Sequence, residues 1–206
     1  MKLLLLFILF TLSALAHDLV EINNVKLDMR YATNNNFLGT VVTGYEAQKC
    51  YLHKDSAAAL MAVEKELNSQ NLHLVLFDCY RPKRAVAHFV RWAKDINDTK
   101  NKYNYYPHVE KSDLFNQGYI AYRSGHSRGN TVDLSILECD FGSPYDFFDE
   151  SSHTLSENID IDAQANRLYL KELMARHGFR GLKEEWWHFT YAKAKESKKY
   201  YDFIIR

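Results

Sequence analysis

The stretch at residues 124–136, SGHSRGNTVDLSI, joins a β-strand pattern to two side chains that bind metals well. Its second half alternates in polarity, so one face of the predicted strand carries the apolar side chains Val132, Leu134 and Ile136. Asp133 lies on the opposite face. His126 precedes the strand, and Gly129 permits a sharp backbone path that folds the histidine back toward the carboxylate. The stretch therefore predicts a His–Asp pair at the start of a core strand.

The segments around this stretch predict both strands and helices. Three have the apolar pattern of strands: VKLDMRY (25–31), LHLVLFD (72–78) and EWWHFTYA (185–192). Three have the apolar spacing of helices: KDSAAALMAVEKELNSQ (54–70), starting at Asp55 or Ser56, RPKRAVAHFVRWAKDIN (81–97), and about 162–177. Strands and helices do not alternate strictly, so we expect an α+β single domain with a mostly antiparallel sheet and flanking helices.

Residues 1–16, MKLLLLFILFTLSALA, have the pattern of a cleaved export signal. Lys2 supplies the positive charge, a continuous apolar run follows, and Ala14 and Ala16 are spaced as a signal peptidase prefers. The apolar run is shorter than the roughly 20 residues that span a bilayer. We therefore expect residues 17–206 to form one periplasmic or secreted domain without stable membrane insertion.

Charge and cysteine content argue against some classes of partner and site. The whole chain has 26 basic and 26 acidic residues, and this balance argues against a nucleic-acid partner, which needs a basic face. The three cysteines, Cys50, Cys79 and Cys139, allow at most one disulfide within the chain. Their spacing matches neither a zinc ribbon nor a redox CxxC motif, so we expect structural or incidental roles.

A third metal ligand would complete the pair formed by His126 and Asp133, because catalytic zinc takes three protein ligands and keeps one open position. His188 is the best candidate, since it lies close to Glu185, a carboxylate that could act as a general base. In a regular strand Glu185 and His188 would face opposite ways. We therefore expect Glu185 in the turn before the strand and only His188 inside it.

Each of these residues also has an ordinary structural explanation. His126 suits a surface or capping position, Asp133 a turn or salt bridge, and His188 a satisfied core site. Spacing by itself does not select zinc over another divalent metal, although imidazole with carboxylate suits zinc well. From spacing alone, both explanations stay open.

Two motifs resemble those of the zinc D-alanyl-D-alanine dipeptidases of the VanX type. SGHSRGNTVDL (124–134) resembles the SxHxxGxxxD motif of that family, and EWWH (185–188) resembles its ExWH motif. Further segments resemble the family in the same order: LDMRYATNNNFLG (27–39), CYLHKDSAAAL (50–60), FDCYRP (77–82), FGSPYDFFDE (141–150) and DAQANR (162–167). The resemblance covers nearly all of the chain after the export signal and implies the fold of the D-Ala-D-Ala peptidase and hedgehog group.

The resemblance implies a catalytic role for each matching residue. His126, Asp133 and His188 would bind one zinc ion per subunit, and Glu185 would be the catalytic base. Arg81 would stabilise the oxyanion, a task that suits a guanidinium because it stays charged and offers several donors. Its ordinary alternative is a surface arginine beside a helix-starting proline.

The resemblance also implies how a substrate is bound. Asp146 matches the acid that binds the free amino group, with Tyr31 and Ser124 as further contacts. Their ordinary alternatives are a loop carboxylate, a core residue ending its strand and a turn hydroxyl. An amino-group anchor would exclude longer peptides, which have no free amine at that place. Two features depart from the family: Pro144 replaces an arginine of the relatives, and residues 98–123 match no family segment.

We therefore expect zinc-dependent hydrolysis of D-Ala-D-Ala. An exported enzyme would not reach the cytoplasmic dipeptide pool, so salvage or trimming of cell-wall peptides is favoured over antibiotic resistance. One alternative is a D,D-carboxypeptidase or another muropeptide peptidase with the same zinc site. The other alternative is a non-catalytic zinc-binding recognition module. The presence of Glu185 and Arg81 argues against it.

Overall fold

The computed structural model describes residues 18–193 and 199–206, so the expected export signal at residues 1–16 lies outside the described residues. The strands are β1 (Leu19–Ile22), β2 (Lys26–Leu27), β3 (Cys50–His53), β4 (Leu74–Asp78), β5 (Thr131–Ile136), β6 (Phe179–Gly181) and β7 (His188–Tyr191). The helices are α1 (Lys54–Asn68), α2 (Lys83–Lys94), α3 (Lys102–Tyr105) and α4 (Ile161–Arg176). Within these ranges, no helix combines the length and apolar character that a bilayer crossing needs.

A five-stranded sheet forms the centre of the fold, in the order β2-β4-β5-β7-β6. β2 pairs parallel with β4, and the other three pairings are antiparallel. β1 and β3 form a separate antiparallel pair. This arrangement confirms the expected α+β class with a mostly antiparallel sheet.

β5 lies in the middle of this sheet, and all of its residues are buried. The apolar side chains on its first face join the hydrophobic core, as predicted: Val132, Leu134 and Ile136. Its second face carries Asp133, which is also buried. A buried carboxylate is stable only with partners of opposite charge or hydrogen-bond donors, so this face must be covered by polar groups.

Residues 25–31 do not form the long strand that their alternation predicts. β2 is very short, and a 3-10 helix, Arg30–Ala32, follows it. Inside this helix, Tyr31 turns into an aromatic cluster with Tyr45 and Phe89. Here the packing of one aromatic side chain overrides the local strand pattern. The sequence analysis also did not predict β1, β3 and β6, which have only three or four residues each.

The three predicted helices are present, with small shifts at their ends. α1 begins slightly earlier than predicted, with His53 rather than Asp55 or Ser56 as its N-cap. The Asp55 backbone N–H donates to His53 Nδ1 at 3.5 Å. Pro82 directly precedes α2, and the connection at 98–123 contains the short α3.

Cys50 and Cys79 form a disulfide, and Cys139 is a free thiol. Cys50 begins β3 and Cys79 directly follows β4, so the bond joins the two-stranded sheet to the end of a central strand. The structural role expected for the cysteines is confirmed for this pair.

Candidate active site

His126 lies in a short 3-10 turn, Gly125–Arg128, just before β5. The Ser124 hydroxyl accepts a hydrogen bond from the His126 backbone N–H at 3.3 Å and caps this turn. Gly129 ends the turn in the left-handed region with φ 75°, where a Cβ would also collide with the Leu19 side chain. Only glycine suits this position, which lets the chain reverse into β5 as predicted.

Asp133 and His188 lie directly opposite each other in the antiparallel pair of β5 and β7. Side chains at such positions share one face of the sheet and are close together. Asp133 Oδ1 lies 3.0 Å from His188 Nδ1 and 3.3 Å from His126 Nε2. The two ring nitrogens are 3.3 Å apart. Strand pairing and the preceding turn therefore bring three possible metal donors together.

These three donor atoms fit a tetrahedral metal ion. Zinc bonds of about 2.0–2.1 Å place two ligands of a tetrahedron about 3.3 Å apart, close to the separations found here. Asp133 Oδ1 is buried and accepts no hydrogen bond among the described residues. Burial by itself would raise the pKa of Asp133, but His126 and His188 outweigh it and lower the pKa. A buried, ionised oxygen without a hydrogen bond is a fitting ligand for a cation.

A second hydrogen bond fixes the orientation of the His126 ring. Its Nδ1 lies 2.7 Å from the Cys79 carbonyl oxygen. A carbonyl oxygen only accepts, so Nδ1 carries the proton and Nε2 keeps its lone pair for the side of Asp133 and His188. This is the tautomer that a metal-binding histidine needs.

Arg81 is held between two carboxylates and two aromatic rings. Its Nε donates to Asp78 Oδ2 at 2.8 Å, and its Nη2 donates to Asp133 Oδ2 at 3.5 Å. Its guanidinium carbon lies 5.1 Å from the Tyr31 ring centroid and 5.0 Å from that of Phe89. Burial would lower the pKa of Arg81, but Asp78 and other neighbours raise it well above its usual range. Arg81 is therefore a fixed cation at the edge of the metal donors.

Asp78 is a site residue that the sequence reasoning missed. It is fully buried at the end of β4, where its Oδ1 accepts a hydrogen bond from the Tyr45 hydroxyl at 2.6 Å. Its Oδ2 lies 3.4 Å from His126 Nδ1. Its signal in the sequence was its place just before Arg81 at the end of a buried strand. Asp78 therefore orients both the arginine and the histidine.

Glu185 lies in the turn before β7, and His188 is the first residue of that strand, as predicted. Glu185 Oε2 is 3.5 Å from His188 Nδ1. Burial is the main cause that raises the pKa of Glu185 to about 7, while His188 lowers it and Asp133 raises it. A carboxyl group with this pKa both accepts and releases protons near neutral pH.

Asp146 lies on an irregular connection between β5 and α4, residues 137–160, which we call the anchor loop. Its φ of 61° is rare for a residue other than glycine. The Tyr31 hydroxyl donates to the two Asp146 oxygens at 2.9 and 3.1 Å. The Tyr145 hydroxyl lies 3.1 Å from the Tyr31 hydroxyl and 3.0 Å from Asp133 Oδ2. Two tyrosines thus connect Asp146 to Asp133, and the sequence reasoning missed Tyr145.

Burial places Asp146 in an unusual electrostatic state. It raises the pKa of this carboxyl well above its usual range, and the charge of Asp133 raises it further. Arg81 and the Tyr31 hydroxyl act in the opposite direction. A buried carboxyl group of this kind gains most from a cationic ligand that replaces the lost hydration.

A buried arginine holds the anchor loop in place. Arg167 of α4 is 1% exposed and forms no salt bridge with any residue in the described ranges. Instead, its guanidinium donates to the carbonyls of Phe141, Ser151 and His153, each at 2.7 Å, and to Ser143 Oγ at 3.0 Å. These four bonds tie the loop to one helix on both sides of Asp146.

One cavity of about 210 Å³ is lined by all eight residues that the sequence analysis assigned to the site: Tyr31, Arg81, Ser124, His126, Asp133, Asp146, Glu185 and His188. Tyr31 lies in a 3-10 helix rather than at the end of a strand. The Ser124 hydroxyl also caps the turn that carries His126. The rim includes residues 118–121, from the connection that matches no family segment. Pro144 does not line the cavity.

Comparison with known proteins gives one consistent family. The Peptidase M15 family model, described as D-ala-D-ala dipeptidase, matches residues 13–206. The chain is 34% identical to the D-alanyl-D-alanine dipeptidase of Enterococcus faecium over 90% of this chain and 95% of that protein. It is 36% identical to that of Enterococcus faecalis over 89% of this chain and 94% of that protein.

Among solved structures, the LdcB LD-carboxypeptidase matches with a TM-score of 0.48 and 17% identity, over 86% of this chain and 69% of that one. The sequence matches, by contrast, extend over nearly the whole length of both proteins, and they confirm the resemblance carried by the two motifs. The chain therefore belongs to the Peptidase M15 family of D-Ala-D-Ala dipeptidases.

Proposed function

We propose that this protein is a zinc-dependent dipeptidase that hydrolyses D-alanyl-D-alanine. The observation that carries the proposal is the meeting of three metal donors with Glu185, whose carboxylate lies 3.5 Å from the His188 ring. The relatives at 34% and 36% identity are named D-alanyl-D-alanine dipeptidases, which supports the substrate. The cavity of about 210 Å³ is smaller than the roughly 300–1,000 Å³ of pockets for drug-sized ligands, which favours a small peptide.

His126, Asp133 and His188 would hold one zinc ion per subunit, because two imidazoles and a carboxylate form a common donor set for this metal. A bound zinc ion polarises a carbonyl group and lowers the pKa of a water molecule. The hydrogen bonds from His126 Nδ1 to the Cys79 carbonyl and from Tyr145 to Asp133 orient the donor atoms.

Glu185 moves the proton in this mechanism. It accepts a proton from the attacking water and delivers it to the nitrogen of the scissile amide, so that the second amino acid leaves as a neutral amine. Its pKa of about 7 suits both steps, since a much weaker or stronger acid would favour only one of them.

Arg81 stabilises the negative charge that develops on the scissile carbonyl oxygen. Asp78 and Asp133 bind two of its five N–H groups and fix the plane of the guanidinium. The remaining N–H groups of Arg81 are thereby held in a fixed orientation in the cavity, and pre-orientation of this kind is the main source of oxyanion stabilisation.

Asp146 binds the free amino group of the substrate. Its carboxyl is buried and receives a hydrogen bond from Tyr31, so an N-blocked peptide would leave it without its cationic partner. Tyr31 and Ser124 line the same cavity and supply the further substrate contacts. Selectivity for free dipeptides follows from this anchor.

Turnover tests the proposal directly. The zinc-loaded protein should hydrolyse D-Ala-D-Ala, lose this activity with a chelator, and act poorly on L-Ala-L-Ala and N-acetyl-D-Ala-D-Ala. A Glu185→Gln variant should retain zinc but lose activity about a thousandfold. Preference for the N-acetylated or a pentapeptide substrate would contradict the Asp146 assignment and indicate a D,D-carboxypeptidase. Unchanged function in the Glu185→Gln variant would indicate a non-catalytic zinc module.

We further propose that residues 1–16 are a cleaved export signal and that the enzyme acts on cell-wall-derived peptides in the periplasm or outside the cell. The disulfide between Cys50 and Cys79 supports an oxidising compartment. Mass spectrometry of the mature protein should give an N-terminus near residue 17, and cell fractionation should find it outside the cytosol. An uncleaved, active cytosolic protein would contradict this proposal.

A further inference from the structure

We propose that a basic pocket beside the active-site cavity binds the C-terminal carboxylate of the peptide substrate, and that Arg123 is the residue that pairs with it. This inference rests on the proposed function. The basic pocket is a cavity of about 450 Å³, and these residues line it: Lys83, Val86, Tyr122, Arg123, Ser124, Ser127 and Tyr200. It shares a wall with the active-site cavity, made of Val86, Arg123 and Ser124.

Arg123 is the cation that the active-site cavity leaves free for a substrate. Among the described residues, the cavity is lined by two cationic side chains, Arg81 and Arg123. Arg81 is already bound by Asp78 and Asp133. Arg123 is exposed, and it forms no salt bridge with any residue that the structure describes. A dipeptide carries an ammonium and a carboxylate, and Asp146 with Arg123 provides the matching pair of charges.

The basic pocket carries positive charge that is not compensated locally. Lys83 and Arg123 line it, and no carboxylate does so within the described part of the chain. The guanidinium carbons of Arg123 and Arg128 lie 6.0 and 5.9 Å from the centroid of the Tyr200 ring. In a chain with 26 basic and 26 acidic residues, such a local excess attracts anions to this side of the cavity.

Two buried polar atoms at this place also lack a partner. Ser127, which lines the basic pocket, is 1% exposed, and its hydroxyl makes no hydrogen bond among the described residues. The Nε of Arg128, the next residue, is buried and has no acceptor there. A buried donor without an acceptor costs free energy, which an acceptor such as a carboxylate would recover. The turn that carries His126 thus also contributes Ser127, with its unpartnered hydroxyl, to the lining of the basic pocket.

This arrangement would favour peptides that have a free amino group at one end and a free carboxylate at the other, and so would favour dipeptides over longer chains. Asp146 accepts only a free amino group, and Arg123, which lines the same cavity, favours a free carboxylate. A blocked C-terminus would lose a charge-assisted hydrogen bond, which is worth about tenfold in binding or more.

Kinetics with D-Ala-D-Ala and its C-terminal amide test the inference. The ratio of kcat/KM for the acid to that for the amide should fall about tenfold in R123Q and recover largely in R123K. R180Q is the control, because Arg180 is exposed on β6 and lines neither the active-site cavity nor the basic pocket. An unchanged ratio in R123Q, or an equal change in R180Q, would overturn the inference.

A binding measurement separates this inference from the proposed function. Acid and amide are titrated calorimetrically into the zinc-loaded E185Q protein with and without R123Q. Tighter binding of the acid than of the amide, lost in R123Q, would support carboxylate binding in the basic pocket. This result would stand even if the wild-type protein failed to hydrolyse D-Ala-D-Ala and the proposed function were wrong. Hydrolysis by the wild type together with equal binding of acid and amide would overturn only the basic pocket. No binding of either peptide would overturn both.

Discussion

The two ends of the active site are held by different kinds of interaction. At the metal end, backbone pairing of β5 with β7 places Asp133 opposite His188. At the anchor end, Asp146 lies on an irregular loop whose shape depends on side chains, chiefly Arg167 and Tyr31. Two paired strands keep their register when one side chain is changed, because backbone hydrogen bonds hold them. A loop held by one arginine loses its conformation when that arginine is removed. Substitutions at the two ends should therefore have separable effects.

The largest effect is expected from His188→Ala at the metal end. Removing one of three donors should abolish stable zinc binding and lower turnover by more than about a thousandfold, while strand pairing preserves the fold. Zinc content after dialysis, turnover and circular dichroism check this. Full zinc content in the variant would show that another residue binds the metal.

Asp146→Asn should have the next largest effect, and only at the anchor end. The neutral amide no longer pairs with the ammonium group, so kcat/KM for D-Ala-D-Ala should fall about a hundredfold while zinc content stays the same. Glu157→Gln on the same loop is the matched control, because Glu157 is exposed and does not line the active-site cavity. Loss of zinc in Asp146→Asn would show that the two ends are not separable.

Arg167→Met should loosen the anchor loop. Three carbonyl oxygens lose their donor, so we expect the free energy of unfolding to fall by about 3 kcal/mol and KM to rise about tenfold, with zinc retained. Urea denaturation and steady-state kinetics measure both. Arg176→Met breaks an exposed pair with Glu66 and should lower the free energy of unfolding much less, because water screens such a pair. Equal costs for the two variants would contradict the role given to Arg167.

Tyr145→Phe should have the smallest effect, and it should extend to both ends. The variant removes the hydroxyl that connects Tyr31 with Asp133 but keeps the ring, which stacks on Phe77. We expect about a tenfold loss of zinc affinity, as for other groups that orient a metal ligand. Competition with a metal-binding dye measures it, with the exposed Tyr103→Phe as control. Unchanged affinity would mean that strand pairing alone orients Asp133.

Local pattern was enough to predict the metal end. The alternation of residues 131–136 predicted the face of Asp133, and the three-residue separation of Glu185 from His188 predicted the turn that the structure shows. Gly129 was the signal for the reversal that returns His126 to the strand. The family motifs then suggested the proposed roles of Arg81 and other residues, which spacing could not indicate.

Local pattern failed where a side chain is held by residues distant in the chain. Tyr31 follows a clear strand alternation, yet it lies in a 3-10 helix because its ring packs on Phe89 and its hydroxyl binds Asp146. Asp78 and Tyr145 are also held by residues distant in the chain, since Asp78 accepts a hydrogen bond from Tyr45 and the Tyr145 hydroxyl contacts that of Tyr31. Hydrophobic periodicity within one segment could not assign them to the site.

By itself, the sequence determined the class of the fold, the family, and the candidates for the metal donors and the base, because each of these depends on short-range spacing or on contiguous motifs. Only the tertiary structure decided which atoms meet: the pairing of Cys50 with Cys79, the two-tyrosine connection between the carboxylates, and the arginine that holds the anchor loop. The physical reason is that these contacts join segments distant in sequence, and their distances depend on how the whole sheet and its loops pack.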